Sequence, residues 1–132
     1  MSKRILVIDD REELRALLRM FLEDADYCVS VLDDGALVEE TVREDPPDLI
    51  VLDIRMGAVS GLDVLERLRT SQATASIPVI VATAALTEAG VVERLIRDPS
   101  GRYANVSVLK KPFDGDALLE RIRSLVGVTE AD

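Results

Sequence analysis

The tightest limit on the fold of this chain comes from one pattern: short apolar runs alternate with stretches of helical periodicity along the whole sequence. Ile5-Leu6-Val7-Ile8 is apolar throughout, as a strand buried on both faces must be. Leu14, Leu17, Leu18, Phe21 and Leu22 then recur at helical spacing. Cys28 to Leu32 reads as a second strand, and Ala36 to Glu44 as a helix closed by Pro46-Pro47. Leu49 to Leu52 is a third strand, and Leu62, Leu65 and Leu68 mark the helix after it. Val79 to Ala82 follows Pro78 as a fourth strand. Val91, Val92, Leu95 and Ile96 then suggest a helix that stops near Pro99. Val106 to Leu109 is a fifth strand. Leu118, Leu119, Ile122, Leu125 and Val126 line the last amphipathic helix.

Repeated β-α pairs imply a parallel sheet with helices on both faces. Crossovers between parallel strands are right-handed, which leaves few topologies. Five strands fit an α/β, flavodoxin-like, doubly wound sheet of order 2-1-3-4-5 with five helices. In such a sheet a ligand sits beyond the carboxyl ends of the strands, at the switch point between strands 1 and 3.

Composition narrows the chemistry. The 132 residues are 48% hydrophobic, enough for one domain with a real core. We expect that domain to span 1–127, followed by a tail at 128–132, with neither a DNA-binding nor a catalytic output domain in the sequence. No apolar run approaches the roughly 20 residues of a membrane span, and no signal peptide is evident. A soluble, cytoplasmic chain is therefore expected. The net charge of −9 argues against direct nucleic-acid binding. There is no histidine, which removes His-based catalysis and most zinc sites. Cys28 is the only cysteine and is expected to be a small buried hydrophobe.

The switch-point rule says where to look. Strand 1 ends in Asp9-Asp10, strand 3 in Asp53, strand 4 in Thr83-Ala84 and strand 5 in Lys110-Lys111-Pro112. Clustered carboxylates repel one another and need a cation, or some must protonate. Oxygen ligands without His or Cys favour a hard ion, Mg²⁺ or Mn²⁺. With a hydroxyl and an ammonium beside it, such a site suits a phosphoryl group, and a carboxylate can accept one covalently. Asp53 lies between the acid pair and the Thr83/Lys111 side, which makes it the acceptor candidate. Taken singly, each residue has a bland reading. Asp9-Asp10 would serve as a helix cap, Asp53 and Thr83 as loop residues, and Lys111 as a solvated charge. Their joint placement at strand ends carries the inference. Asp33-Asp34-Gly35 reads as a turn plus cap, Asp24-Ala25-Asp26 as a surface turn, and Asp114 as a cap of the last helix.

These residues resemble the response-regulator receiver domain over nearly the whole chain. The motifs are Ile5 to Asp10, Leu49 to Met56, Gly61-Leu62, Pro78 to Ala84 and Lys110-Lys111-Pro112-Phe113. The resemblance implies Asp53 as phosphoacceptor. It implies a Mg²⁺ site at Asp10, with Asp9 partly through water, plus Asp53 and the backbone carbonyl of Arg55. It also implies Thr83 as a switch hydroxyl with room left by Ala84, Lys111 as the phosphoryl-binding lysine, and a cis Lys111-Pro112 bond. Strand alternation agrees with Lys111 over Lys110. The implied partners are a sensor histidine kinase or phosphotransfer protein and a downstream output protein or domain.

Several positions depart from the family. Gly57 replaces the usual proline, so the loop after Asp53 is expected to be more mobile. Arg55 takes a variable position from which it could pair with the acids or obstruct the attacking water and so alter phosphoryl lifetime. Val108 stands where many members carry an aromatic switch residue. The stretch from Leu86 to Val106, with Asp98-Pro99-Ser100-Gly101 and Tyr103, is longer than usual. It belongs to the face used for output contacts, so its length suggests an unusual partner or a homodimer surface; a tolerated surface insertion fits as well.

Other classes remain to be separated. A pseudo-receiver adaptor would need no phosphorylation, and the retained acids, threonine and lysine speak against it. A haloacid-dehalogenase-type phosphatase would carry an Asp where Arg55 stands. A flavodoxin-like cofactor binder would have a Ser-, Thr- or Gly-rich loop after strand 1. Here that loop is Asp9-Asp10-Arg11-Glu12-Glu13, which would repel a phosphate without a metal. The expected role is a switch, not a turnover enzyme.

Overall fold

A computed structural model describes residues 2–54 and 60–127. Each apolar run forms a strand and each periodic stretch a helix. The order is β1 (Arg4–Ile8), α1 (Glu12–Asp24), β2 (Cys28–Leu32), α2 (Val38–Glu44), β3 (Leu49–Asp53) and α3 (Gly61–Thr70). It continues through β4 (Val79–Thr83), α4 (Leu86–Ile96), β5 (Val106–Lys110) and α5 (Gly115–Val126). All strand pairs are parallel, in the order β2-β1-β3-β4-β5. The sheet and its five helices, counted among the described residues, match the sequence expectation.

Strand alternation divides the core into two layers. Ile5, Val7, Leu49, Val51, Ile80, Ala82 and Leu109 face α1 and α5, where they meet Leu18, Leu22, Leu118, Leu119 and Ile122. Leu6, Ile8, Ile50, Leu52, Val79, Val81 and Val106 face the other way, onto Val38, Val42, Val64, Leu65, Leu68 and Val92. Each such buried aliphatic side chain contributes roughly 1.5–3 kcal/mol relative to exposure. The central strands are apolar on both faces because both faces are covered.

Local chemistry sets the ends. Asp34 Oδ1 accepts from the Ala36 N–H at 2.9 Å and caps a 3-10 turn at Gly35–Leu37, so regular α-helix begins at Val38 and not at Ala36. Asp114 Oδ1 caps α5 through the Ala117 N–H at 2.7 Å. Ser60 Oγ does the same for α3 through the Leu62 N–H at 3.2 Å. Asp26 turns the chain between α1 and β2 with φ +71°.

One expectation fails, and two further details emerge. Cys28 is exposed: it opens β2, an edge strand with covering on one side only. Leu17 (57% exposed) and Leu125 (36%) lie outside the buried stripes of α1 and α5. The sheet covers a narrower arc of each helix than the periodicity alone suggests. Asp9-Asp10 does not cap α1; Arg11 is the cap residue, and its side chain makes no capping bond.

The long segment after α4 is tied into the molecule. Asp98 Oδ1 accepts from the Ser100 N–H at 2.8 Å, and Gly101 takes φ +72°. Tyr103 then returns the chain to the core, where it is buried. On the same side of the sheet Arg69 is only 4% exposed. Its Nη1 donates to the carbonyls of Thr74 (3.1 Å) and Ala75 (2.6 Å), and its Nη2 to that of Ile77. Among the described residues its Nε has no partner. Burial holds the guanidinium below the usual arginine range.

Candidate functional site

Strand register assembles the site. Ile8 pairs with Leu52, so Asp9 follows alongside Asp53. Asp53 pairs with Ala82, one residue before Thr83, and Thr83 pairs with Lys110, one residue before Lys111. The Lys111 N–H donates to the Thr83 carbonyl at 2.9 Å and ties the last two strand ends together.

Carboxylate oxygens of Asp9, Asp10 and Asp53 lie within 4.8 Å of one another. Asp9 and Asp53 are buried, whereas Asp10 is exposed. This hard-oxygen set could coordinate a divalent cation, and its chemistry fits Mg²⁺ or Mn²⁺. Lys111 Nζ stands 3.6 Å from Asp9 Oδ2 and 3.7 Å from Asp53 Oδ2. Lys110 points away and pairs with Glu93 of α4 at 3.4 Å. Alternation thus sends the two lysines to opposite faces, and it is Lys111 that reaches the acids. Thr83 is buried, and its Oγ1 accepts from the Ala85 N–H at 2.9 Å. Asp10, Asp53, Thr83, Ala84 and Lys111, with Arg11, line a cavity of about 300 Å³. The Lys111-Pro112 peptide is cis, as the resemblance implies.

Arg55 and Gly57 lie outside the described residues. Val108 is half-buried against the core below α4, in a shallow groove with Glu93, Ile96 and Arg121.

Two residues were missed in the sequence. Arg11 brings its guanidinium to Asp9 and Asp53, and Arg15 Nη1 donates to the Asp9 carbonyl at 2.8 Å. A cation directly after an acid pair was the available signal for Arg11. Arg15 sits one helical turn further on and carried none.

Residues 5–123 match the response regulator receiver domain model. The chain belongs to this family. Receiver domains are signalling switches of two-component systems and not turnover enzymes, and so is this chain. The DNA-binding dual master transcriptional regulator RpaA of Synechocystis sp. is 37% identical over 128 residues, 96% of this chain and 50% of the relative. Response regulator MprA of Mycobacterium ulcerans is 36% identical over 132 residues, 100% of this chain and 53% of the relative. The chain therefore spans about half the length of these curated relatives. Among solved structures, the N-terminal domain of a response regulator receiver protein from Methanoculleus marisnigri is 31% identical with a TM-score of 0.67, covering 93% of this chain and 95% of that one. The signal receiver domain of a Luxo repressor protein from Vibrio parahaemolyticus has a TM-score of 0.79 at 23% identity, covering 96% and 91%, and speaks for the fold alone. Among the described residues no helix is long and apolar enough to cross a membrane.

Proposed function

We propose that the chain is a Mg²⁺-dependent phosphoacceptor switch in which Asp53 takes a phosphoryl group from a phosphohistidine of a sensor histidine kinase or phosphotransfer protein. The observation that carries this reading is the setting of Asp53. It is a buried carboxylate at the sheet's switch point, beside two more acids and with Lys111 Nζ 3.7 Å from Oδ2. Held by the carboxylates of Asp10 and Asp53 with that of Asp9 beside them, a bound Mg²⁺ would offset charge on the transferring group.

The chain's own residues do the rest. An Asp53 carboxylate oxygen attacks phosphorus; the new O–P bond forms as the donor's P–N bond breaks, and that electron pair stays with the imidazole. Lys111 is placed to balance the added charge. Thr83 Oγ1 already accepts from Ala85, so its own proton remains available to a phosphoryl oxygen. Turning Thr83 toward that oxygen gives up the Ala85 bond, directly before Leu86 at the start of α4. Phosphorylation thereby biases the β4–α4 connection by differential contacts.

An apolar groove of about 630 Å³ beside Arg11 and Lys111, lined by Leu14, Leu17, Phe21 and Phe113, suits a donor's helix and gives the exposed Leu17 a use. Net charge −9 makes the domain a poor match for DNA phosphates, so its output passes through protein contacts. The test is intact-protein mass after incubation with a small phosphodonor or a cognate kinase. One adduct that requires Mg²⁺ and is lost in Asp53→Asn is expected. An adduct that persists in Asp53→Asn refutes the assignment.

A further inference from the structure

Arg11 has no part in the family reading, yet its guanidinium reaches two members of the acid cluster, Asp9 and Asp53. Its backbone N–H donates to Asp9 Oδ1 at 2.8 Å, which fixes the root of the side chain at the site. Its Nε stands 3.5 Å from the same oxygen, and its Nη2 3.7 Å from Asp53 Oδ2. Among the described residues, Arg11 and Lys111 both approach Asp53 Oδ2. They differ in freedom. The Lys111 side chain is 16% exposed and held; that of Arg11 is 57% exposed. Arg11 also borders an open surface hollow lined by Glu12, Glu13, Leu14 and Leu17, so space lies beside its side chain.

Buried carboxylates must be neutralised whether or not a metal is bound. In the arrangement described, arginine does part of that work. Its two contacts are long and single, without the paired geometry of a strong arginine–carboxylate fork. A contact of that kind compensates charge and still lets go.

We propose that Arg11 is the displaceable counter-ion of the metal-free site. It competes with Mg²⁺ for the carboxylates of Asp9 and Asp53 and raises the magnesium concentration at which Asp53 becomes competent. This rests on the reading of Asp9, Asp10 and Asp53 as the metal site. Arg11 is a positioning residue and not a catalytic one. Two partly exposed ion contacts correspond to about three- to tenfold in metal affinity.

The test is direct metal binding without phosphorylation. Free Mn²⁺ is counted by electron paramagnetic resonance at fixed ionic strength, with Mg²⁺ competition, on the full chain. Arg11→Gln, Arg19→Gln and Asp10→Asn are compared with the native protein. Arg19 lies on the exposed side of α1 and, among the described residues, pairs with Glu23, so its loss removes the same unit charge away from the acids. The proposal expects Arg11→Gln to bind about three- to tenfold tighter, Arg19→Gln to stay within about twofold, and Asp10→Asn to bind more weakly. Native-like or weaker binding in Arg11→Gln overturns the proposal and leaves the metal site standing. Equal tightening in Arg19→Gln also overturns it, because the effect would then be general charge. No Mn²⁺ binding to the native chain, or binding indifferent to Asp10→Asn, overturns the metal site and the proposal together.

Discussion

Gly61 opens α3 directly beside the strand that carries Asp53, and Gly61→Ala tests how firmly that junction is fixed. A Cβ at this position would lie 2.5 Å from Ile54 Cα, 2.6 Å from the Asp53 carbonyl oxygen and 2.6 Å from the Ile54 carbonyl oxygen. Ordinary contact needs about 3.5 Å or more, so each is short by roughly 1 Å. All three atoms are backbone, and none can rotate away. Either the Asp53–Ile54 segment or the first turn of α3 must move, which strains the Gly61 N–H to Ile54 carbonyl bond of 2.9 Å. Overpacking costs about 1–3 kcal/mol and the weakened bond about 1 kcal/mol. Alanine's helix preference over glycine returns at most about 1 kcal/mol. The net expectation is a loss of about 1–3 kcal/mol, a fall in melting temperature of roughly 4–12 °C for a chain of this size. Because Asp53 sits on the displaced segment, Mn²⁺ affinity should fall as well. Gly115→Ala is the matched control. The three heavy atoms nearest its Cβ all belong to the ring tip of Phe21, which can turn into the open groove on α1. Its cost should stay below about 1 kcal/mol. Urea denaturation of both variants decides the matter. A Gly61→Ala stability within about 0.5 kcal/mol of native, or an equal cost at Gly115, refutes this account of the junction.

Two further expectations concern the core. Arg69→Met should destabilise the domain by about 2–4 kcal/mol in the same assay, because it takes the guanidinium from the carbonyls of Ala75 and Ile77 and leaves that of Thr74 with the Ile77 N–H alone among the described residues. A neutral or stabilising outcome would mean that desolvation of the buried guanidinium outweighs its bonds. Tyr27 is buried with its hydroxyl donating to the Gly127 carbonyl at 3.2 Å. Burial raises the phenol above its ordinary value, against an opposing pull from Arg123. The folded state therefore keeps this proton longer than the unfolded chain. Stability from this source is complete below about pH 10 and is lost as pH rises through the raised folded value. Tyr27→Phe should be less stable than native near neutrality and show a shallower alkaline decline. Parallel denaturation curves across that range would exclude the effect.

The sequence determined which residues reach the carboxyl edge, because strand runs and their parity are local properties. Once β1, β3, β4 and β5 are read as parallel neighbours, Asp9, Asp53, Thr83 and Lys111 must meet. Parity alone separates Lys111, at the acids, from Lys110, on Glu93. Caps at Asp34 and Asp114 were legible for the same reason: a cap bond spans two or three residues. What needed tertiary structure was every property set by a neighbour distant in sequence. Cys28 has the hydrophobicity of a core residue, yet its strand lies at the edge and the residue stays exposed. Leu17 keeps the helical period but misses the sheet, since the sheet's reach decides how wide a stripe is buried. Arg69 looks like any charge on a helix until the Thr74–Ile77 turn folds over it and supplies three carbonyls. Arg11 looks like a solvated residue at a helix start until β3 brings Asp53 within reach of its guanidinium. Periodicity fixes the direction of a side chain. Only the assembled fold decides what stands there to meet it, and with it whether a charge is solvated, paired or displaceable.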